Sequence, residues 1–128
     1  MAIVIDLLYR FSRTHPGGFL LAWLFKNMNF VLPLERLRET DTLLAFYHPK
    51  PAYPFHVILV PKRMVESIET LSAEDQGFLS DLFSIVQDLV SEFRLAQNGY
   101  RLIANGGKYQ EFGLLHFHLI SDDRPEQT

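Results

Sequence analysis

The segment Leu114–Ile120 constrains this chain more than any other, because two histidines alternate with apolar residues in it. Successive side chains of a β-strand point to opposite faces of the sheet. His116 and His118 should therefore share one face, while the apolar residues around them face the core. The pattern predicts a strand that carries chemistry on one side and stability on the other.

A second apolar run opens with His56 and ends at Pro61. If this strand neighbours the first, three imidazoles converge. They could form a three-histidine zinc site with an open fourth position. They could also catalyse covalently at phosphorus, where one imidazole attacks and the others protonate the leaving group or hold the oxyanion. The glycine-rich turn at 105–108 favours phosphate. Polar histidines on a solvent-facing strand are the remaining interpretation.

Composition limits the class of protein and its partners. The chain has 128 residues, of which 48% are hydrophobic and 21% charged, as expected for a single soluble domain. A net charge of -3 argues against nucleic acid or an anionic membrane as a partner. The absence of cysteine excludes disulfides, thiolate nucleophiles and Cys-ligated zinc. We expect a cytoplasmic protein.

Residues 1–29 are unusually apolar and raise the question of a membrane segment. The clean apolar run Phe19–Phe25 is well short of the ~20 residues that span a bilayer. No basic segment precedes it, which argues against a signal peptide. We expect two short helices broken at Pro16–Gly18 that pack on the domain or on a second subunit. Shallow membrane attachment is the alternative.

The remaining chain predicts strands around one long helix. Ser72 and Asp75 have the spacing of a capping box, apolar residues repeat at helical spacing as far as Phe93, and Asn98–Gly99 gives a stop signal. These features predict a helix over 72–97. A hairpin turn is expected at Arg38–Asp41. The expected strands cover 30–34, 42–47, 56–61, 100–104 and 112–120.

Two motifs resemble the markers of the histidine triad (HIT) superfamily. The run from Gln110 to Ile120 is similar to the family signature, Gln-x-φ-x-His-φ-His-φ-His-φ-φ, where φ is apolar. The run from Phe46 to Lys62 resembles an upstream strand that a single histidine opens and Pro-Lys closes. The resemblance covers about residues 30 to 120, in the family's order. It implies an α+β fold with a five-stranded antiparallel sheet and one long helix.

The resemblance further implies a single domain over 1–128. Residues 1–29 would be the N-terminal helical extension, 30–121 the HIT core and 122–128 a polar tail. Members of the family commonly pair through the long helix and a sheet edge, so we expect a homodimer. Neither a cofactor nor a metal is implied.

The activity that the resemblance implies is hydrolysis at the α-phosphate of a nucleoside phosphoramidate or dinucleoside polyphosphate. His116 matches the family's nucleophile, which forms a nucleotidyl-histidine intermediate. His118 matches the histidine that contacts the phosphate and leaving group, and His56 matches the upstream histidine that supports them.

Four further residues match nucleotide-binding positions of the family. Asn105 and Gln110 fall on the phosphate side, Phe46 falls where an apolar wall contacts the base, and His48 stands where relatives have a ribose-binding acid. A simple turn role is an equally good interpretation of Asn105. For Phe46, ordinary core packing is equally good.

Two departures from the family pattern bear on the rate. Leu114 stands at the first histidine of the triad, and its side chain cannot hydrogen-bond, so we expect His116 to be less firmly held in its reactive tautomer. Glu111 replaces a small hydroxyl residue and would repel a nucleotide anion. Together with His48 in place of the ribose-binding acid, these departures make a degenerate HIT domain that binds a nucleotide or a protein with little turnover the alternative function. A three-histidine metalloenzyme is the third.

Overall fold

The computed structural model describes residues 35–122, and the account below concerns that part of the chain. The predicted extension 1–29, the strand at 30–34 and the tail beyond Asp122 lie outside the described residues. The elements, in chain order, are β1 (Arg36–Glu39), β2 (Leu43–Tyr47), β3 (Phe55–Pro61), α1 (Gln76–Glu92), α2 (Leu95–Asn98), β4 (Arg101–Ala104) and β5 (Phe117–Ser121).

The strands form one antiparallel sheet in the order β1-β2-β3-β5-β4. This architecture confirms the predicted α+β fold with a five-stranded sheet and one long helix. β3 is central, and all seven of its residues are buried. Because β5 is its neighbour, the two strands that carry histidines lie side by side.

The core lies between α1 and one face of the sheet. Alternate residues of β2, β3 and β5 contribute to it, as does the apolar stripe of α1, which is what the two periodicities predict. Its buried members are Leu43, Ala45, Phe55, Val57, Leu59, Phe78, Leu82, Ile85, Val86, Leu89, Phe93, Leu95 and Leu119.

The predicted capping box at the start of the helix is confirmed. The backbone N–H of Ser72 donates to Oδ2 of Asp75 over 3.0 Å, and the backbone N–H of Glu74 donates to Oγ of Ser72 over 3.3 Å. A short 3-10 turn, Ala73–Asp75, leads into α1. Hydrogen bonds therefore satisfy backbone groups that the first turn would otherwise leave without partners.

The prediction of one continuous helix over 72–97 is wrong at its C-terminal end. α1 ends at Glu92, Arg94 adopts a left-handed conformation with φ of 53°, and α2 follows. Phe93 and Leu95 are both buried, yet residues two apart on a helix face nearly opposite directions. The break at Arg94 lets both side chains enter the core. Gly99, with φ of 96°, ends α2 as predicted.

The predicted turn at Arg38–Asp41 begins too early, because Arg38 and Glu39 belong to β1. The turn is built on Thr40, whose Oγ1 accepts the backbone N–H groups of Thr42 and Leu43 over 3.2 and 3.1 Å. β1 is an edge strand within residues 35–122. Charged residues suit such an edge, which therefore lacks the apolar alternation by which strands are recognised.

Candidate active site

The pairing of β3 with β5 brings His56 and His118 together. In the register of these strands, His56 lies opposite Ile120 and His118 opposite Ile58. Their neighbours in sequence belong to the core under α1, so both imidazoles lie on the other face of the sheet. His56 Nε2 lies 2.9 Å from His118 Nδ1, which is a direct hydrogen bond between the rings.

His116 joins this pair from just outside the sheet. The expected strand at 112–120 is shorter than predicted, because β5 begins at Phe117. The backbone N–H of Leu115 donates to the carbonyl of Val65 over 2.9 Å, so this segment bonds to the loop after β3. The ring centroids of His116 and His118 still lie 4.9 Å apart. With His116 only 4% exposed, the interpretation as a solvent-facing strand is wrong.

A fourth ring, His48, completes what we call the histidine cluster: His48, His56, His116 and His118. Its centroid lies 4.4 Å from that of His56 and 6.4 Å from that of His118. The backbone N–H of His48 donates to the carbonyl of His56 over 2.9 Å, which extends the pairing of β2 with β3. His48 is therefore placed beside His56 by the hairpin register.

Hydrogen bonds assign the ring protons of His56 and His118. The backbone N–H of Ala52 lies 3.1 Å from His56 Nδ1 and can only donate, so His56 Nδ1 accepts. A neutral imidazole carries one N–H, which in His56 must be on Nε2 and must donate to His118 Nδ1. The proton of His118 is then on Nε2.

The opposite tautomer is assigned to His116. Its Nδ1 lies 3.0 Å from the backbone carbonyl oxygen of Leu114, which can only accept, so Nδ1 carries the proton and Nε2 carries the lone pair. The expectation that a leucine at 114 leaves His116 less firmly held stays a prediction, but its premise omitted this backbone hydrogen bond. A backbone oxygen orients the ring, and the side chain at 114 does not affect its presence.

Burial lowers the pKa of every histidine in the cluster. Burial, together with the neighbouring imidazoles, lowers the pKa of His118 to about 3, and burial beside His48 lowers that of His56 to about 4. The pKa of His116 is also lowered by burial, although the hydrogen bond to Leu114 and the carboxylate of Glu111 oppose the shift. The cluster is therefore neutral at pH 7, as an imidazole nucleophile must be.

The residues matched to nucleotide-binding positions differ in their placement. The side-chain amide of Gln110 donates to the backbone carbonyl of Glu66 over 2.6 Å and so anchors the loop before His116. Asn105 follows Ala104, the β4 residue paired with Phe117, and thus lies at the end of the sheet where His116 lies. Phe46 is buried opposite Ile58 in β3.

Two contributions to the site were missed in the sequence. The ring of Phe112 packs edge-on against His116 with centroids 5.1 Å apart. The sequence signal that could have identified Phe112 is its position in an apolar segment, four residues before His116. No sequence signal identifies the backbone N–H of Ala52, since every residue except proline has this group.

A shared metal does not fit the arrangement of the rings. One nitrogen of His56 and one of His118 are taken up by their mutual hydrogen bond. Among residues 35–122, no group of three or more histidines and carboxylates could hold a metal ion.

In the same part of the chain, no helix is both long and apolar enough to cross a membrane.

The fold is that of a known class, and the chain belongs to the HIT domain family. The family's sequence model matches residues 29–124. This result confirms the resemblance on which the expectations for the fold rested.

Among related sequences, the chain is similar to a purine nucleoside phosphoramidase of Escherichia coli (strain K12). The two are 26% identical over 91 residues, which is 70% of this chain and 76% of that protein. It is also 33% identical over 88 residues to an uncharacterized HIT-like protein of Rickettsia prowazekii, covering 68% of this chain and 73% of the relative.

Solved structures show the same fold. A HIT family hydrolase from Legionella pneumophila superposes with a TM-score of 0.70 at 25% identity, over 78% of this chain and 91% of the other. A histidine triad protein from Clostridium difficile also gives a TM-score of 0.70, at 24% identity, over 85% and 94%.

Proposed function

We propose that this chain is a nucleotide hydrolase that acts at the α-phosphate of a nucleoside phosphoramidate or dinucleoside polyphosphate. His116 is the nucleophile. The observation that carries the proposal is the hydrogen bonding of two adjacent rings, which assigns a lone pair to His116 Nε2 and an N–H to His118 Nε2. One ring can attack phosphorus while the other donates to the oxygen or nitrogen on which negative charge develops.

The reaction proceeds in two displacements. His116 Nε2 attacks the α-phosphorus, the bond from phosphorus to the leaving nitrogen or oxygen breaks, and the leaving group takes up one proton from solvent while the Nε2–H of His118 hydrogen-bonds to the developing negative charge. The nucleotide is then bonded to His116, whose Nδ1–H remains on the carbonyl of Leu114. Water attacks the phosphorus and gives up one proton to solvent, the bond to His116 breaks, and a nucleoside monophosphate leaves. His56 holds His118 in the tautomer that donates throughout.

The test is to trap the covalent intermediate. Protein mixed with adenosine 5′-phosphoramidate and acid-quenched on the millisecond to second scale should show an adenylyl adduct by intact mass, mapped by peptide analysis to His116. In His116→Asn the adduct should be absent and hydrolysis should fall about 100-fold or more. Activity should survive EDTA. Full activity in His116→Asn, or loss of activity with EDTA, contradicts the proposal.

The alternative is a HIT domain that binds a nucleotide with little turnover, and Glu111 is the observation that favours it. Its carboxylate is close enough to raise the pKa of both His48 and His116. A negative charge there opposes the approach of a phosphate anion. Tight binding of AMP by calorimetry, with neither adduct nor hydrolysis in the same preparation, would select this function.

We also propose that the chain forms a homodimer through the edge strand β4 and the helical side of the domain. β4 is at the edge of the sheet as far as residues 35–122 define it. Tyr100 and Phe83 are 46% and 56% exposed, and Val90 and Ala96 line a surface cavity together with Tyr100. Exposed apolar surface near a strand edge favours association. Sedimentation at micromolar concentration should give a dimer, and a monomer contradicts this.

A further inference from the structure

His48 is fixed in place although it follows the end of a strand. Its backbone N–H bonds to the carbonyl of His56, and its ring Nδ1 lies 2.9 Å from the backbone N–H of Lys50. Prolines at positions 49, 51 and 54 restrict the loop that follows. The ring therefore has a defined position before any ligand arrives.

The same contact assigns the proton of this ring. The N–H of Lys50 can only donate, so His48 Nδ1 accepts and the proton is on Nε2. Burial, with His116 nearby, lowers the pKa of His48, and Glu111 opposes the shift. At pH 7 His48 is therefore a neutral donor, in the same tautomer as His118.

The two donor rings lie close enough to act on one phosphoryl group. His48 and His118 are nearly parallel, with an interplanar angle of 21° and centroids 6.4 Å apart. Since an N–H binds an oxygen at about 2.9 Å, this separation is compatible with both rings donating to one phosphate. His48 and His118 are each half-buried, so part of each residue is accessible to solvent.

We propose that His48 is a catalytic residue of this chain, which donates its Nε2–H to a phosphoryl oxygen of the bound nucleotide beside the Nε2–H of His118. This inference rests on the proposed function, because it requires a phosphate at the cluster. It differs from the ribose contact that the resemblance assigns to this position. The leucine at 114 offers no side-chain donor, and His48 supplies one from the β2–β3 loop.

The experiment compares variants of His48 on substrates with and without ribose hydroxyls. His48→Asn keeps an oxygen that can accept the N–H of Lys50 but cannot place a donor at the Nε2 position. One hydrogen bond to a charged oxygen corresponds to about a 10- to 100-fold change. We expect kcat/KM to fall by that factor, equally for adenosine 5′-phosphoramidate and its 2′,3′-dideoxy analogue. His48→Gln, whose amide can reach the Nε2 position, should recover part of the loss.

Binding provides a second measurement that needs no turnover. The affinity of His48→Asn for AMP should fall by a similar factor, while its affinity for adenosine should not change. Asp88→Asn, an exposed substitution on α1, is the matched control and should behave as wild type. Thermal unfolding of every variant confirms that the fold is retained.

The possible outcomes distinguish a failure of the role of His48 from a failure of the proposed function. An effect limited to the substrate with ribose hydroxyls, equal losses for AMP and adenosine, or unchanged kinetics in His48→Asn would overturn the role of His48 while leaving the hydrolase intact. If wild type neither hydrolyses the phosphoramidate nor binds AMP, the proposed function fails and the inference fails with it.

Discussion

The two faces of the sheet use the same strands for different purposes. Toward α1, Val57 and Leu119 are fully buried among apolar side chains. Toward the other face, the adjacent residues His56 and His118 meet in a hydrogen bond. The first face gains stability from burial in proportion to its apolar area. On the second, burial opposes charge and keeps the imidazoles neutral.

The faces also differ in what holds their side chains. The core is held by packing between regular elements, whereas the histidine cluster is held by backbone groups of irregular segments. Lys50 and Ala52 donate N–H groups to His48 and His56, and Leu114 accepts from His116. Strand alternation thus puts His56 and His118 on one face, and backbone groups of the flanking loops determine which nitrogen of His48, His56 and His116 carries the proton.

The largest expected effect is on the apolar face. Leu119→Ala removes a fully buried side chain from the core and should lower the free energy of unfolding by about 2–5 kcal/mol, since a cavity adds to the lost burial. Urea unfolding measures this. At a temperature where the variant stays folded, kcat/KM should change little. A large loss of activity in a fully folded Leu119→Ala would mean that the two faces are not separable.

His118 lies one position before Leu119 and faces the histidine cluster, so His118→Asn should lower activity more than stability. It removes the Nε2–H of a ring adjacent to the proposed nucleophile, and kcat/KM should fall about 10- to 100-fold, as expected for one hydrogen bond to a charged group. The urea midpoint should move less than in Leu119→Ala, because His118 is only half-buried. Equal destabilisation of the two variants would contradict the division between faces.

The pH dependence of the rate tests the neutral state of the cluster. The proposed nucleophile, His116, must be unprotonated to attack. Burial lowers its pKa, so the acid limb of kcat/KM should lie below pH 6.5, the ordinary pKa of histidine. Glu111 raises the pKa of His116. Glu111→Gln should therefore move the acid limb to still lower pH. A limb at or above 6.5 in wild type would mean that His116 is more solvated than its burial indicates.

Sequence patterns predicted the parts of the fold that depend on periodicity. The period-two alternation around His118 placed it opposite the core, and the helical repeat from Phe78 onward located α1. The pattern failed at Arg94, where a left-handed residue interrupts a repeat that looks continuous in sequence. It also failed at β1, whose charged edge has no apolar alternation.

For the candidate site, the sequence predicted which imidazoles meet but not their protonation. The order of the strands brought His56 to His118, whereas the tautomers depend on backbone groups of Lys50, Ala52 and Leu114. A backbone N–H or carbonyl is present whatever the residue type, so residue identities do not reveal it. The tautomer of His116 therefore could not be predicted from the side chain at 114.

The smallest expected effect concerns the side chain at position 114. Leu114→His restores the first histidine of the family signature, but the group that orients His116 is the backbone carbonyl of residue 114, which both side chains leave in place. We expect kcat to change by less than about threefold, which corresponds to about 0.6 kcal/mol. Because Leu114 is buried, an imidazole there should cost some stability, so rates must be compared well below the unfolding temperature of the variant. A rise in kcat of tenfold or more with unchanged KM would mean that a side chain at 114 acts in the transition state. The backbone hydrogen bond alone would then not be sufficient to make His116 fully reactive.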